Sequence, residues 1–116
     1  MTTKAKPYLK RINVLQLEIS TNCNLFCKGC IRTNKLDFGK TVNPMLPEKN
    51  QFLDPDILEK VLSSKACSKL KEIQFCGTID DPLAHPQFLD FLDILYKRPH
   101  LKVQVHTNAS LRTPEY

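Results

Sequence analysis

The chain has 116 residues, a formal charge of +5, 41% hydrophobic residues and 25% charged residues. This is the composition of an ordinary single globular domain. Five cysteines, an odd number, argue against a disulfide framework. The amino terminus lacks a secretory signal pattern, and no apolar run approaches the roughly 18 residues of a membrane span. We therefore expect a cytoplasmic protein without a membrane partner.

The first 13 residues are predicted to form a basic amino-terminal arm, which contains Lys4, Lys6, Lys10 and Arg11. Such an arm could contact nucleic acid or an acidic substrate, or it could be a solvated tail. No signature of a nucleic-acid-binding module follows it, which favours the tail. Residues 14–116 are predicted to form the folded domain.

A strand is predicted from Val14 to Ser20, and a cysteine loop, Cys23-Asn-Leu-Phe-Cys27-Lys-Gly-Cys30, follows it directly. Three thiolates can bind three irons of a four-iron cluster and leave the fourth iron open. The alternative is a structural zinc site, which needs a fourth ligand. Candidates for that ligand are Cys67, Cys76, His85, His100 and His106. The residues alone leave both metals open.

A long loop, from Thr33 to Phe52, comes next and is expected to cover the site, since loops of this length in compact domains are usually functional or disordered. The first helix is predicted from Pro55 to about Ser64, because Asp54 is a suitable N-cap and Pro55 suits the first helical position. A second helix is predicted to open at Pro86 and to end before Pro99.

Two further strands are predicted, from Leu70 to Cys76 and from Leu101 to Thr107. The order strand, helix, strand, helix, strand predicts an α/β fold with parallel strands. Each strand alternates apolar and polar residues, as Val103 and Val105 do with Gln104 and His106. We therefore expect helices on one face and a polar inner face on the other, as in a partial parallel barrel.

The loops that follow the three strands are expected to meet at one edge, because ligands bind beyond the carboxyl ends of parallel strands. The third strand is expected to be an exposed edge. After it, Thr113 and Pro114 resemble the start of a third helix. We therefore predict an incomplete barrel that is truncated after the third strand, or one piece of a split protein.

This arrangement resembles the amino-terminal part of the radical S-adenosylmethionine (SAM) core domain. The cysteine spacing is that family's hallmark. The stretch Ile79-Asp80-Asp81 before Pro82 resembles its glycine-glycine-glutamate motif. The stretch Thr107-Asn108-Ala109-Ser110-Leu111 resembles its threonine-asparagine-glycine stretch. The resemblance implies a [4Fe-4S] cluster and SAM, which is cleaved reductively to a 5′-deoxyadenosyl radical that abstracts hydrogen from an unknown substrate.

The resemblance also implies roles for individual residues. Cys23, Cys27 and Cys30 would bind the cluster. The residues expected to contact SAM are Gly77, Thr78, Asp80, Asp81 and Asn108. For Asp81 the alternative is a turn with an Asp-Pro break, and for Asn108 it is a turn cap.

Several positions depart from the family pattern or stay open. Gly29 stands where the family often has an apolar or aromatic residue. Lys28 and Arg32 would offset the charge of the cluster or would be solvated surface charges. Cys76 and His106 are predicted to face the lumen, where they would line the substrate space or be merely structural. No catalytic residue is assigned.

The expected partners are SAM, an electron donor such as a flavodoxin or ferredoxin, an unknown substrate, and a partner chain or downstream residues that complete the barrel. A second class of function stays open: a non-catalytic interaction module that binds an iron–sulfur cluster or a structural zinc ion.

Overall fold

The computed structural model describes residues 12–113, except for 26, 28, 39 and the side chain of residue 35. Most of the basic arm, Lys28 and the helix expected from Pro114 lie outside the described residues.

The sheet has three parallel strands: β1 (Val14–Leu17), β2 (Glu72–Phe75) and β3 (Lys102–Val105). They lie in the order β1-β2-β3, with β2 in the centre. The small α/β fold and the parallel pairing are as predicted. Each strand is shorter than predicted, because the flanking residues leave the ladder. Ser20, for example, pairs in antiparallel fashion with Phe52.

Helix α1 spans Pro55–Leu62, and Asp54 caps it by accepting a hydrogen bond from the Asp56 N–H at 2.9 Å. Helix α2 spans Phe88–Tyr96 and begins two residues later than predicted, because Gln87 has a non-helical backbone. Short 3₁₀ turns lie at Lys35–Asp37, Lys65–Cys67 and Pro82–Ala84. In the described part of the chain, none of the helices is both long and apolar enough to cross a membrane.

The hydrophobic core centres on β2. Ile73 and Phe75 are completely buried, and the Phe75 ring packs edge-on against Phe88 and Phe91 at centroid distances of 5.4 and 6.0 Å. Such aromatic pairs add stability beyond their buried area. The core residues are Ile19, Leu58, Leu70, Ile73, Phe75, Phe88, Phe91, Leu95 and Leu101.

His85 is part of this core and is fully buried, although its position beside a helix end suggested no special role. Its Nδ1 accepts a hydrogen bond from the Gln87 N–H at 2.9 Å. Nε2 therefore carries the hydrogen and donates it to the Leu53 carbonyl at 2.7 Å. His85 thus joins α2 to the segment before α1.

The two faces of the sheet differ as predicted, with one exception. Gln16, Gln74 and Gln104 lie in register and form a polar row across all three strands. On the other face, helices were expected to cover β3, but Val103 and Val105 remain 37% and 39% exposed. That expectation is wrong, because the core centres on β2 and β3 is the edge strand.

Candidate functional site

The loops that follow the three strands meet at the carboxyl edge of the sheet. The Asp81 N–H donates to the Asn22 carbonyl at 2.7 Å and so joins the loop after β2 to the cysteine loop. The Asn24 side chain donates to the Ser110 hydroxyl at 2.8 Å and joins the cysteine loop to the loop after β3. The predicted convergence is therefore present in the structure.

A cleft of about 190 Å³, here called the thiol cleft, lies at this junction. Cys23, Cys27 and Cys30 all line it, and all three are free thiols. Its other lining residues are Leu25, Arg32, Asp80, Asp81, His106, Thr107 and Asn108. Within residues 12–113 as described, no three His, Cys, Asp or Glu side chains are grouped closely enough to hold a single metal ion.

The cysteine loop is fixed by hydrogen bonds that hold its thiols toward one cleft. The Cys30 N–H donates to the Cys27 carbonyl at 3.0 Å, and the buried Thr33 hydroxyl donates to the Cys30 carbonyl at 2.9 Å. The Arg32 N–H donates to the Cys30 sulfur at 3.5 Å. Hydrogen bonds to sulfur tune the reduction potential of iron–sulfur clusters. The chemistry of three thiols, one of which accepts such a bond, therefore suits an iron–sulfur cluster.

Arg32 is buried, with 5% of its surface exposed, so the alternative of a solvated surface charge is wrong. Its Nη1 donates to the Thr21 carbonyl at 3.1 Å and to the Ile79 carbonyl. Its Nε is buried and has no hydrogen-bond partner. Arg32 therefore ties the cysteine loop to the loop after β2 and keeps its charge beside the thiols.

Asp80 has one engaged and one unengaged carboxyl oxygen. Oδ2 accepts a hydrogen bond from the Ser20 N–H at 3.2 Å, whereas Oδ1 is buried without a hydrogen-bond partner. Burial, together with the nearby Glu18 carboxylate, raises the pKa of Asp80 to about 6. Asp80 thus lines the thiol cleft with a carboxyl group whose second oxygen is buried and has no hydrogen-bond partner.

Gly77 lies against Asp80. A Cβ at this position would be 1.4 Å from Asp80 Oδ1 and 2.8 Å from Glu18 Cγ. Gly77 was expected to contact SAM through its backbone, but among the described residues neither Gly77 nor Thr78 lines the thiol cleft. Because Gly77 has no side chain, it leaves space for the Asp80 carboxyl group.

Gly77→Ala is expected to displace the Asp80 carboxyl group and break its bond to Ser20. We expect a loss of about 1 to 2 kcal/mol in the free energy of unfolding, typical of overpacking. Urea denaturation measures it. Gly29→Ala is the matched control, since an added Cβ there meets nothing within 4 Å. Equal stability of the two variants would contradict this account of Gly77.

The Asp80 pKa predicts a pH dependence of stability. The folded chain holds this proton more tightly than the unfolded chain, so the contribution of Asp80 is largest below about pH 4 and falls as the pH rises through about 6. After allowance for solvent screening, we expect a change of about 1 kcal/mol.

The measurement is urea unfolding of the metal-free chain from pH 4 to pH 7. Asp80→Asn should abolish this part of the pH dependence, and Asp93→Asn, at an exposed position on α2, should retain it. An Asp80→Asn variant whose pH profile matches that of the parent chain would contradict the raised pKa.

Asp81 is almost completely buried, and the chain itself satisfies its carboxylate. Oδ1 accepts from the Leu83 N–H at 2.9 Å and caps the 3₁₀ turn. The Thr107 hydroxyl lies 2.8 Å from both carboxylate oxygens, and Oδ2 also accepts from the Asn108 N–H at 2.9 Å. The structure thus shows the turn that was the alternative for Asp81, while SAM binding by Asp81 stays a prediction.

Asn108 makes the turn cap that was predicted and two further contacts that were not. Its Oδ1 accepts from the Ser110 N–H at 2.9 Å, which is the predicted turn cap. Its Nδ2 donates to Asn24 Oδ1 at 2.9 Å and approaches the Cys23 sulfur at 3.8 Å. Asn108 therefore faces the cysteine loop as well as its own turn.

Sequence reasoning missed the supporting roles of Thr33 and Glu18. Thr33 comes three residues after Cys30, the spacing at which a hydroxyl commonly bonds back to a carbonyl, so its position was a usable signal. Glu18 accepts a hydrogen bond from the Ile79 N–H at 2.6 Å, a contact between residues 61 positions apart that no local pattern reveals.

The tungsten-containing aldehyde ferredoxin oxidoreductase cofactor-modifying protein of Pyrococcus furiosus is similar to this chain. The two are 31% identical over 102 residues, which make up 87% of this chain and 25% of that protein. The chain therefore spans about a quarter of the length of this curated relative. No family model and no solved structure matches the chain.

Proposed function

We propose that this chain is the amino-terminal part of a radical SAM core domain that binds a [4Fe-4S] cluster through Cys23, Cys27 and Cys30. The supporting observation is that these three thiols and the Asp80 carboxyl group line one cleft at the carboxyl edge of a parallel sheet. When bound, the cluster and SAM would supply a 5′-deoxyadenosyl radical for hydrogen abstraction from a substrate.

The residues around the thiols have roles that follow from their contacts. Asp80 lines the cleft, and its carboxyl group would pair with the amino group of SAM. Arg32 places a buried positive charge beside the anionic cluster. Its backbone N–H donates a hydrogen bond to the Cys30 sulfur. Asp81 and Asn108 hold the other two loops in position, and Asn108 directs an amide N–H toward Cys23.

We further propose that additional strands, from downstream residues or a partner chain, pair along β3 and extend the sheet into a barrel. The half-exposed Val103 and Val105 and the polar glutamine row support this, because parallel sheets are normally covered on both faces.

The name of the relative supports an enzyme that acts on a cofactor. An electron donor such as a flavodoxin or ferredoxin and a reducing, cytoplasmic location complete the proposal.

A structural zinc site is the second candidate, because His106 lines the same cleft as the three cysteines, but these side chains would have to move closer together to hold one ion. Three thiolates and one imidazole are a common zinc ligand set. His85 does not fit this role, since both of its ring nitrogens are engaged in the core. A zinc site would make the chain an interaction module rather than an enzyme.

The test is the iron, acid-labile sulfide and zinc content of the chain after anaerobic reconstitution, for the parent chain and His106→Gln. We expect about four irons and four sulfides per chain for both proteins, because a cluster with three cysteine ligands does not need His106. His100→Gln, at an exposed position, is the matched control. One zinc ion without sulfide, lost in His106→Gln alone, would favour the zinc site.

A further inference from the structure

A hairpin within residues 31–45, here called the apolar hairpin, follows the cysteine loop directly. Its two arms are joined by an antiparallel bridge between Thr33 and Val42. At its base the Asn43 N–H donates to the Arg32 carbonyl at 2.7 Å. Hydrogen bonds between its own two arms therefore hold the hairpin in one shape.

The hairpin presents large apolar side chains to solvent. Leu36 and Phe38, near its tip, are 93% and 85% exposed, and Met45, at its base, is 88% exposed. Phe38 also has a φ of 59°, which bulky residues rarely adopt. A groove of about 360 Å³ lies beside them, and Ile31, Leu36 and Met45 are among the residues that line it. Apolar side chains grouped at a surface in this way mark an interaction site.

The charge around the hairpin indicates the kind of partner. Residues 27–50 contain five basic residues and two acidic ones, and Lys40 is exposed close to the tip. Such a segment attracts an acidic protein. It disfavours a second copy of this chain, which has a formal charge of +5.

The hairpin also lies close to the thiols that are proposed to bind the cluster. Ile31 is bonded to Cys30, and the Arg32 N–H donates to the Cys30 sulfur at 3.5 Å. The hairpin follows β1, which lies at the opposite edge of the sheet from β3. A protein that binds the hairpin therefore approaches the thiols from outside and leaves β3 free for the additional strands.

We propose that the apolar hairpin is the docking surface for a small, acidic electron-carrier protein. This proposal rests on the proposed function, in which the cluster must receive an electron. The reduced carrier loses one electron and the cluster gains it, and no bond forms or breaks. Electron-transfer complexes are small and transient, with interfaces below about 1,200 Å². A few exposed apolar side chains beside basic residues suit such a complex.

The test is isothermal titration calorimetry of the full, metal-free chain with oxidised flavodoxin and, separately, with oxidised [2Fe–2S] ferredoxin. We expect one carrier per chain for at least one of them, with a micromolar dissociation constant that rises with salt concentration. Docking on the hairpin does not need the cluster. A chain that binds a carrier but forms no cluster would therefore contradict the proposed function alone, and a chain that forms a cluster but binds neither carrier would contradict the docking surface alone.

Variants locate the binding. Leu36→Ser combined with Phe38→Ser should weaken it at least about tenfold, and Lys40→Glu about fivefold. Leu89→Ser combined with Tyr96→Ser, at exposed positions on α2, is the matched control and should leave affinity within about twofold. All of these side chains are exposed, so equal urea midpoints will show that the variants remain folded.

The reconstituted chain provides a second readout. The hairpin double variant should slow cluster reduction by reduced flavodoxin or ferredoxin at least about tenfold, but reduction by dithionite, which needs no docking surface, should keep its rate. Absence of binding by both carriers at millimolar concentration would overturn the proposal. Equal effects of the hairpin and α2 variants would overturn it as well, and so would binding to vesicles of phosphatidylglycerol in place of the carriers.

Discussion

Replacing Cys23, Cys27 and Cys30 together by alanine is expected to abolish the incorporation of iron and sulfide into the reconstituted chain. The three thiols line one cleft, and each would bind a different iron, so no protein ligand remains once they are removed. We expect iron and sulfide to fall from about four each per chain to background, measured by colorimetric analysis after removal of unbound metal.

The control for that variant uses the two remaining cysteines. Cys67 packs against the core near α1, and Cys76 is a part-buried thiol that follows β2; neither lines the thiol cleft. Cys67→Ala combined with Cys76→Ala should therefore keep the full iron and sulfide content. Equal loss of iron from the control and from the triple variant would mean that the cluster ligands have been assigned wrongly.

Asp81→Ala is expected to destabilise the chain by about 3 to 5 kcal/mol, because it removes a buried, charged acceptor that receives hydrogen bonds from three part-buried donors. The Leu83 N–H, the Thr107 hydroxyl and the Asn108 N–H all donate to this carboxylate. It therefore joins the loop after β2 to the loop after β3. Such a loss is a large part of the total stability of a small domain, which is about 5 to 15 kcal/mol.

Urea denaturation at pH 7 measures this effect. Asp81→Asn keeps the shape and one acceptor oxygen, so it should lose about half as much stability as Asp81→Ala. Asp93→Ala removes an exposed carboxylate from α2 and should change stability by less than about 0.5 kcal/mol. An Asp81→Ala variant as stable as Asp93→Ala would mean that Asp81 does not hold the two loops together.

Several features of the fold could be predicted because their causes are local. Asp54 and Pro55 determine the start of α1 through a cap and a fixed φ, and the first helix begins where predicted. The alternation of strands and helices determines the parallel pairing, from which the meeting of three loops at one edge follows. The position of the thiol cleft could be predicted for the same reason.

Other features depend on contacts between distant residues and could not be predicted. Arg32 can be buried because the carbonyls of Thr21 and Ile79 accept hydrogen bonds from its guanidinium group. Ile79 is 47 positions away along the chain. The role of Gly77 depends on where the Asp80 carboxyl group lies, which the order of residues does not reveal. The incomplete burial of β3 likewise depends on how far the core extends from β2.

The proposed open iron site beside Asp80 is tested most directly by electron paramagnetic resonance of the reconstituted, dithionite-reduced chain with and without SAM. We expect a four-iron signal that shifts when SAM is added and is absent from the triple cysteine variant. A cluster signal that SAM leaves unchanged, or bound zinc with no cluster signal, would contradict the radical SAM proposal for this chain.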